Sequence, residues 1–342
     1  MSFLSIDRDL ARDSYYAATA RRGQGFPALA DDIDCDWRDG YLGVATTPSK
    51  AKDLETWADR MAKVYGTNFT RIGRTEVQRW VDSPRYDGAI HDPHSGHLHP
   101  LKYSLGIAGA AARAGARIHE HSVVTSVEPR NGTVHVKTAA GQVRAKQALL
   151  AGNVYLQGMA PQLETRIMPV GTYIVCSEPI DKALCESLVP SRSAVCDTNF
   201  VLDYFRPTND NRMLYGGRVS YSTMTPRNLA QSMRERMVGT FPQLAGTKIQ
   251  YAWGGFVDIT MNRAPDFGRL APNLYYLQGF SGHGLALTGL AGKLVAEAMD
   301  GDASRFDVFA RLKHHAFPGG RWLRTPALVL GMAWYRLRDL LG

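Results

Sequence analysis

Gly279, Gly282 and Gly284 stand between an apolar run, Leu274–Gln278, and a helix-forming run, Leu285–Met299. A strand, a glycine turn and a helix in immediate succession let the backbone approach a ligand closely. The helix that starts near Leu285 aims its unpaired N–H groups and positive dipole end at whatever sits there. Such a site suits a group that gains negative charge, and His283 stands inside it, between Gly282 and Gly284. Gly289 and Gly292 lie within the helix, where glycine costs stability, so close packing is expected around them. Read alone, the pattern also fits a tight strand-to-helix connection with no ligand.

Three other clusters invite a chemical reading. Gly23-Gln-Gly25-Phe-Pro27-Ala28 fits G-x-G-x-x-A literally. No apolar strand precedes it and Pro27 sits inside the turn, so it lacks the strand–turn–helix context of a dinucleotide fingerprint. Leu149-Leu-Ala151-Gly152-Asn153 ends an apolar strand with small residues that could lie against a pyrophosphate or adenosine group. His91, His94, His97 and His99 fall close together, but Pro93 and Pro100 flank them. No helix presents an H-x-x-x-H face, so no metal is expected, and His91–Pro100 reads as a loop at the edge of a site.

The elements that must carry these residues follow from periodicity. Asp7–Ala20 reads as a short helix or arm and Arg21–Asp32 as a junction. Trp37–Ala45 reads as a strand and Ser49–Tyr65 as a helix, with Leu54, Trp57, Ala58 and Met61 at helical spacing. Leu101–Ala114 is a helix closed by Gly115. Arg117–His119, Val123–Glu128, Val134–Thr138 and Val143–Leu150 read as strands, the last pair around a Gly141 turn. Helix then strands is the order of the second half of a doubly wound sheet. Pro169–Cys176, Val201–Phe205, Met213–Val219 and Lys248–Ile259 are strands around a helix, Pro226–Phe241. Together they predict an antiparallel sheet with a helix packed on it.

The chain has 342 residues, 44% hydrophobic and 21% charged, enough to bury a core without staples. Its net charge of +8 comes without a Lys/Arg block, which argues against nucleic acid and is met equally by an anionic cofactor or substrate. The four cysteines, Cys35, Cys176, Cys185 and Cys196, form no C-x-x-C pair and are expected to be reduced and mostly buried. Charges at Asp7, Arg8, Asp9, Arg12 and Asp13 are unlike a signal peptide, so a cytoplasmic location is expected. The apolar stretch 322–341 carries Arg324, Arg336, Arg338 and Asp339. It reads as a docked amphipathic helix with peripheral membrane contact as the alternative, and not as a span. Oligomeric state is not legible.

Longer segments carry a resemblance. Trp253-Gly-Gly-Phe-Val-Asp-Ile-Thr-Met-Asn-Arg-Ala-Pro265-Asp-Phe-Gly268, followed by Gly279–Gly292, is similar to the C-terminal half of FAD-dependent oxidoreductases of the D-amino-acid-oxidase type. Within these the chain is most similar to the γ-glutamylputrescine oxidoreductase group. Tyr15–Ala20, Cys35–Tyr41, Gly96–Tyr103 and Phe317–Pro326 fit that group too. The resemblance spans nearly the whole chain. It has one departure: the family's strand, G-x-G-x-x-G turn, helix and acidic second strand should stand between Ala20 and Cys35. Only about a dozen residues separate those points, whereas a βαβ unit takes roughly 30.

The resemblance implies a mixed α/β fold: the remnant of a doubly wound FAD-binding domain plus an antiparallel-sheet substrate domain. Residues 1–32 would be the arm and junction. Residues 33–99 and 160–265 would form the substrate domain, 100–159 and 266–301 the FAD-domain remnant, and 302–342 C-terminal helices. The implied reaction is oxidation of an amine C–N bond with hydride transfer to FAD, in polyamine catabolism, on γ-glutamylputrescine or a related small-molecule amine. Expected cofactor contacts are Val124, Ala151, Gly152, Asn153, Gly279, Gly282, His283, Gly284 and Leu285. Tyr204, Arg206, Arg218 and Trp253, with His283, are the expected substrate-side residues, and Arg206 or Arg218 would pair a substrate carboxylate. The alternatives are a non-catalytic, FAD-deficient remnant acting as a binding module, or a partner chain that supplies the lost unit.

Overall fold

A computed structural model of the chain describes residues 33–156, 158–199, 201–220 and 227–318, with only the backbone at 218–220. In chain order it runs β1 (Arg38–Ala45), α1 (Pro48–Tyr65), β2 (Thr70–Ile72), β3 (Gly88–His97) and α2 (Pro100–Arg113). It continues through β4 (Val124–Arg130), β5 (Thr133–Thr138), β6 (Gly141–Ala145), β7 (Ala148–Leu150), α3 (Pro161–Glu164), β8 (Ile167–Ser177) and α4 (Lys182–Leu188). Then come β9 (Ala194–Asp197), β10 (Tyr204–Pro207), β11 (Met213–Ser220), α5 (Leu229–Thr240) and β12 (Ile249–Thr260). The last are β13 (Asp266–Ala271), β14 (Leu274–Gln278), α6 (Gly284–Met299) and α7 (Ser304–Ala310). The expected arm helix Asp7–Ala20 and the stretch 322–341 lie outside the described residues.

The fold is mixed α/β, in two compact units. One contains described residues 33, 103–170 and 256–318, the other 34–102 and 171–255. The division falls inside β8, after Val170, and inside β12, after Gly255.

The second unit is built on a sheet of order β12-β8-β11-β10-β9-β1-β3-β2. It is mostly antiparallel, as expected, but β1 and β9 run parallel. Alternation puts Leu42 and Val44, Val195, Phe205, Tyr215 and Val175 on one face. There they join Met233, Met237 and Phe241 from α5 and its end in a single buried cluster. Phe205 stacks on Tyr215 at 5.6 Å and meets Phe241 edge-on at 5.0 Å. Burying each of these large side chains stabilises the unit by about 1.5–3 kcal/mol. The other face carries Gly43, Cys196, Tyr204, Gly216 and Ile174, paired in register from strand to strand.

The first unit holds two three-stranded sheets, β13-β14-β7 and β4-β5-β6. β14 pairs β7 in parallel, Tyr275 beside Leu149, and α6 follows β14 directly, which is the doubly wound arrangement. Ala291, Leu294 and Val295 of α6 pack on Phe267, Tyr275 and Leu277.

Four local expectations need correction. His91–Pro100 is not a loop, because most of it belongs to β3, held by β1. The pairing is irregular where Pro93 to Ser95 oppose the single residue Gly40, so the missing Pro93 N–H interrupts no regular ladder. Val143–Leu150 is two strands. Val143 pairs Val136 and Leu149 pairs Tyr275, and the chain changes partner at Lys146–Gln147. Arg117–His119 is not a strand. The strand expected at Val201–Phe205 begins only at Tyr204, because Asp203 turns into a buried ion-pair network. All four cysteines are free, with Cys35, Cys176 and Cys185 buried.

Two buried groups of the second unit titrate in opposition. His97 is 8% exposed, and burial lowers its pKa to about 4. Asp197 is 3% exposed, and burial, with Asp203 beside it, pushes its carboxyl up to about 6. The His97 contribution to stability is present above about 6.5 and is lost as pH falls toward 4. The Asp197 contribution is present below about 3.8 and is lost as pH rises through 6. Between those limits the two slopes cancel. In thermal melts across this window, His97→Gln is expected to lose stability with rising pH relative to the parent. Asp197→Asn is expected to gain it, each by up to about 1.4 kcal/mol per pH unit. Parallel curves for parent and variants would refute the assignment.

Candidate active site

The turn after β14 is the most built feature of the first unit. Gly279, Ser281 and Gly282 all have positive φ, at 78°, 51° and 89°. A side chain at Gly279 would collide with Thr260 and with the Asp266 backbone. Nothing lies within 4 Å of where a Gly282 side chain would begin, so the surface there is open. The N–H groups of Gly284, Leu285 and Ala286 open α6 with no hydrogen-bond partner among the described residues, and His283, its N-cap residue, makes no side-chain cap. His283 and Leu285 are exposed.

Asp258, on β12 and 2% exposed, fixes this turn. Its carboxylate accepts the N–H groups of Gly279 and of Phe280, the latter at 3.0 Å. Its carbonyl accepts the Ser281 N–H at 2.9 Å. Burial pushes the Asp258 carboxyl above its ordinary pKa, opposed by hydrogen bonds from the Asn153 side chain, Gly279 and Phe280. Asn153 itself has φ 53°, and its buried Oδ1 has no partner among the described residues. Thus Asn153 and Gly279, both expected cofactor contacts, meet at one carboxylate. Gly152 and the exposed Ala151 lead into Asn153. Val124 stands apart in β4, paired with Thr138 in the other sheet.

Of the substrate-side candidates, His283 belongs to the first unit and Tyr204, Arg206, Arg218 and Trp253 to the second. The Tyr204 ring lies across Gly216, where any side chain would strike it. Its hydroxyl bonds the Thr172 hydroxyl at 3.0 Å, and burial raises its pKa, so it stays a phenol. Arg206, two residues on and on the same face, donates to the Leu98 carbonyl at 3.2 Å. That leaves most of its five N–H donors for other partners. Burial lowers its pKa, yet a guanidinium remains a cation. Cys196, beside Tyr204, is pushed up to about 12 by burial and is a thiol, not a thiolate nucleophile. Trp253, on the edge strand β12, is 45% exposed. Arg218 occupies the point in β11 where the register with β8 shifts.

Sequence reasoning missed Asp258. Its signal was available: an acidic residue between Val257 and Ile259 in a strand has few fates other than a buried acceptor.

A sequence model of the FAD dependent oxidoreductase family, DAO, matches residues 7–298. The chain belongs to this family. The γ-glutamylputrescine oxidoreductase of Escherichia coli K12 is 44% identical over 311 residues, 91% of this chain and 73% of that protein. A probable oxidoreductase OrdL of Haemophilus influenzae is 38% identical over 90% of this chain and 72% of that protein. The glycine oxidase structure of Geobacillus kaustophilus superposes with a TM-score of 0.75 at 20% identity, covering 92% of this chain and 85% of that one, which shows a shared fold. None of these supports the binding-module alternative. The chain is thus an oxidoreductase of an FAD-dependent family. No described helix is long and apolar enough to cross a membrane.

The residues present fit the ring end of FAD. Free helix N–H groups suit negative charge, Gly282 leaves the approach open, and the orphaned Asn153 Oδ1 needs a donor such as a hydroxyl or imide N–H. Among the described residues, the β14–α6 turn is the one glycine-rich turn from a strand into an α-helix, while Gly152 leads from β7 only into a single 3-10 turn, Asn153–Tyr155.

Proposed function

We propose that this oxidoreductase oxidises a primary amine that also carries a carboxylate, γ-glutamylputrescine or a close analogue, using FAD. The observation that carries the reading is the Gly279–Leu285 turn locked on Asp258, with the helix N–H groups behind it left free. The 44% identity to the Escherichia coli relative supports the substrate class.

When bound, FAD supplies the acceptor for the hydride that leaves the amine-bearing carbon. The N–H groups of Gly284, Leu285 and Ala286 stabilise the negative charge that this transfer creates. Gly282, His283 and Asn153 would hold the ring end of FAD, with Asn153 Oδ1 as an acceptor available to it. Arg206 pairs the substrate carboxylate and sets which carbon is presented. Tyr204 and Trp253 exclude water around the amine, which favours its neutral, reactive form. The imine product leaves and hydrolyses to an aldehyde and ammonia.

The experiment is a flavin spectrum of the purified protein with and without added FAD, followed by anaerobic addition of γ-glutamylputrescine. Saturable FAD uptake and bleaching of the oxidised-flavin bands are expected. No FAD uptake at any excess would end the cofactor assignment. Uptake with bleaching by other amines but not by γ-glutamylputrescine would end the substrate assignment.

A further inference from the structure

A cavity of about 570 Å³ in the first unit plays no part in the reaction above. Arg166, Arg269, Tyr276, Lys313, His314 and His315 line it, with Gly268 in its wall. A side chain at Gly268 would run into the Tyr276 hydroxyl, so this wall is kept bare. We propose that this cavity is a binding site for a phosphoryl-bearing small molecule, separate from the flavin and amine sites.

The argument rests on how the basic groups are held. Arg269 donates to Asp307 at 2.7 Å and lies over the Tyr275 and Phe306 rings, at 5.0 and 5.1 Å. Its plane is therefore fixed before any ligand arrives. Arg166 donates to the Tyr276 hydroxyl at 2.9 Å, with Asp266 at 3.6 Å. Each guanidinium spends one nitrogen on these bonds and keeps further N–H donors. The Lys313 ammonium has no partner among the described residues, although the Lys313 carbonyl accepts from Asn262. Both ring nitrogens of His314 are buried and make no side-chain hydrogen bond among the described residues. The Pro265 carbonyl favours protonation of that ring, but burial prevails and lowers its pKa. A neutral His314 still offers one N–H donor and one acceptor.

Against Arg166, Arg269 and Lys313 stand Asp266 and Asp307, each reaching one arginine. The lining thus keeps a net positive charge and several unspent donors. Oriented guanidinium groups with a free ammonium are the donor set that phosphoryl oxygens fill best. The volume lies within the range of small-molecule pockets.

The test is titration calorimetry of the full chain with inorganic pyrophosphate at low salt, with and without saturating FAD. One saturable site is expected, unaffected by FAD. Tricarballylate, an all-carboxylate trianion, is expected to bind at least ten-fold more weakly. Lys313→Ala/His315→Ala removes two exposed side chains and keeps the Asn262 contact, which uses the backbone. It is expected to weaken pyrophosphate binding ten-fold or more with an unchanged melting temperature in the absence of ligand. Lys182→Ala, in the other unit, is expected to bind as the parent does. Absence of saturable binding, equal losses in both variants, displacement by FAD or equal affinity for tricarballylate each overturns the proposal. The flavin spectrum tests the amine-oxidase reading without touching this site, so the two can fail separately.

Discussion

Asp203→Ala is expected to destabilise the second unit by about 3–5 kcal/mol, the cost of removing one partner from a buried ion pair. The Asp203 side chain is fully buried and serves two cations. Arg85 donates to one oxygen at 2.8 Å, and Arg236 donates to the other through Nε at 2.9 Å. Arg85 also reaches Thr240 at 2.9 Å, whose hydroxyl meets that of Tyr215 at 2.8 Å. One carboxylate therefore ties the segment before β10 to α5, to β11 and to the chain before β3. Alanine would leave two half-buried guanidinium groups facing each other across an empty acceptor site. Asp203→Asn keeps the shape and one acceptor but not the charge, and is expected to fall between alanine and the parent. Asp59→Ala, at an exposed pair with Arg71, is the control and should change stability by less than about 1 kcal/mol. Urea unfolding measures all three. An Asp203→Ala protein as stable as the Asp59→Ala protein would show that the network contributes nothing net.

This network also marks the limit of what the sequence made legible. The β14–α6 turn could be read because its strand, glycines and helix are consecutive, and each obeys a local rule. Tyr204 and Arg206 could be read as neighbours on one face because strand alternation needs no knowledge of the partner strand. Asp203 and Asp258 could not be assigned, because their partners are distant in the chain: Arg85 and Arg236 for one, Gly279 and Phe280 for the other. The same non-locality explains the misread histidines. Pro93 and Pro100 are loop signals, but the strand exists because β1 is there to pair with it. A histidine cluster drawn out along a strand separates its members. His97 is buried with Nε2 against the Arg192 carbonyl, whereas His91 packs on Trp80 at 4.9 Å. The glycine turn between β14 and α6 obeys local rules and showed in the sequence. The clamps that make it rigid are tertiary and did not.

Asp258→Ala tests whether that clamp matters. It removes the acceptor of two buried N–H groups, those of Gly279 and Phe280, and the partner of the Asn153 side chain. Each orphaned buried donor costs about 1–3 kcal/mol, so the turn is expected to open instead of holding its positive-φ conformation. A side chain at Gly279 would strike Thr260 and the Asp266 backbone, so the turn has little room to shift on that side. Asp258→Asn behaves differently. The amide keeps one oxygen, and one oxygen takes both N–H groups in the parent. Because burial already works against the charged form of Asp258, a neutral amide gains from desolvation some of what it loses in hydrogen-bond strength. The expected order of FAD affinity is parent, then Asn within about ten-fold, then Ala weaker by about 100-fold or more, roughly 2.7 kcal/mol. Amide hydrogen exchange at Gly279 and Phe280 reads the clamp without FAD, with fast exchange expected in the alanine variant alone. Slow exchange there would show that the turn holds itself, and that the glycines, not the carboxylate, set its shape.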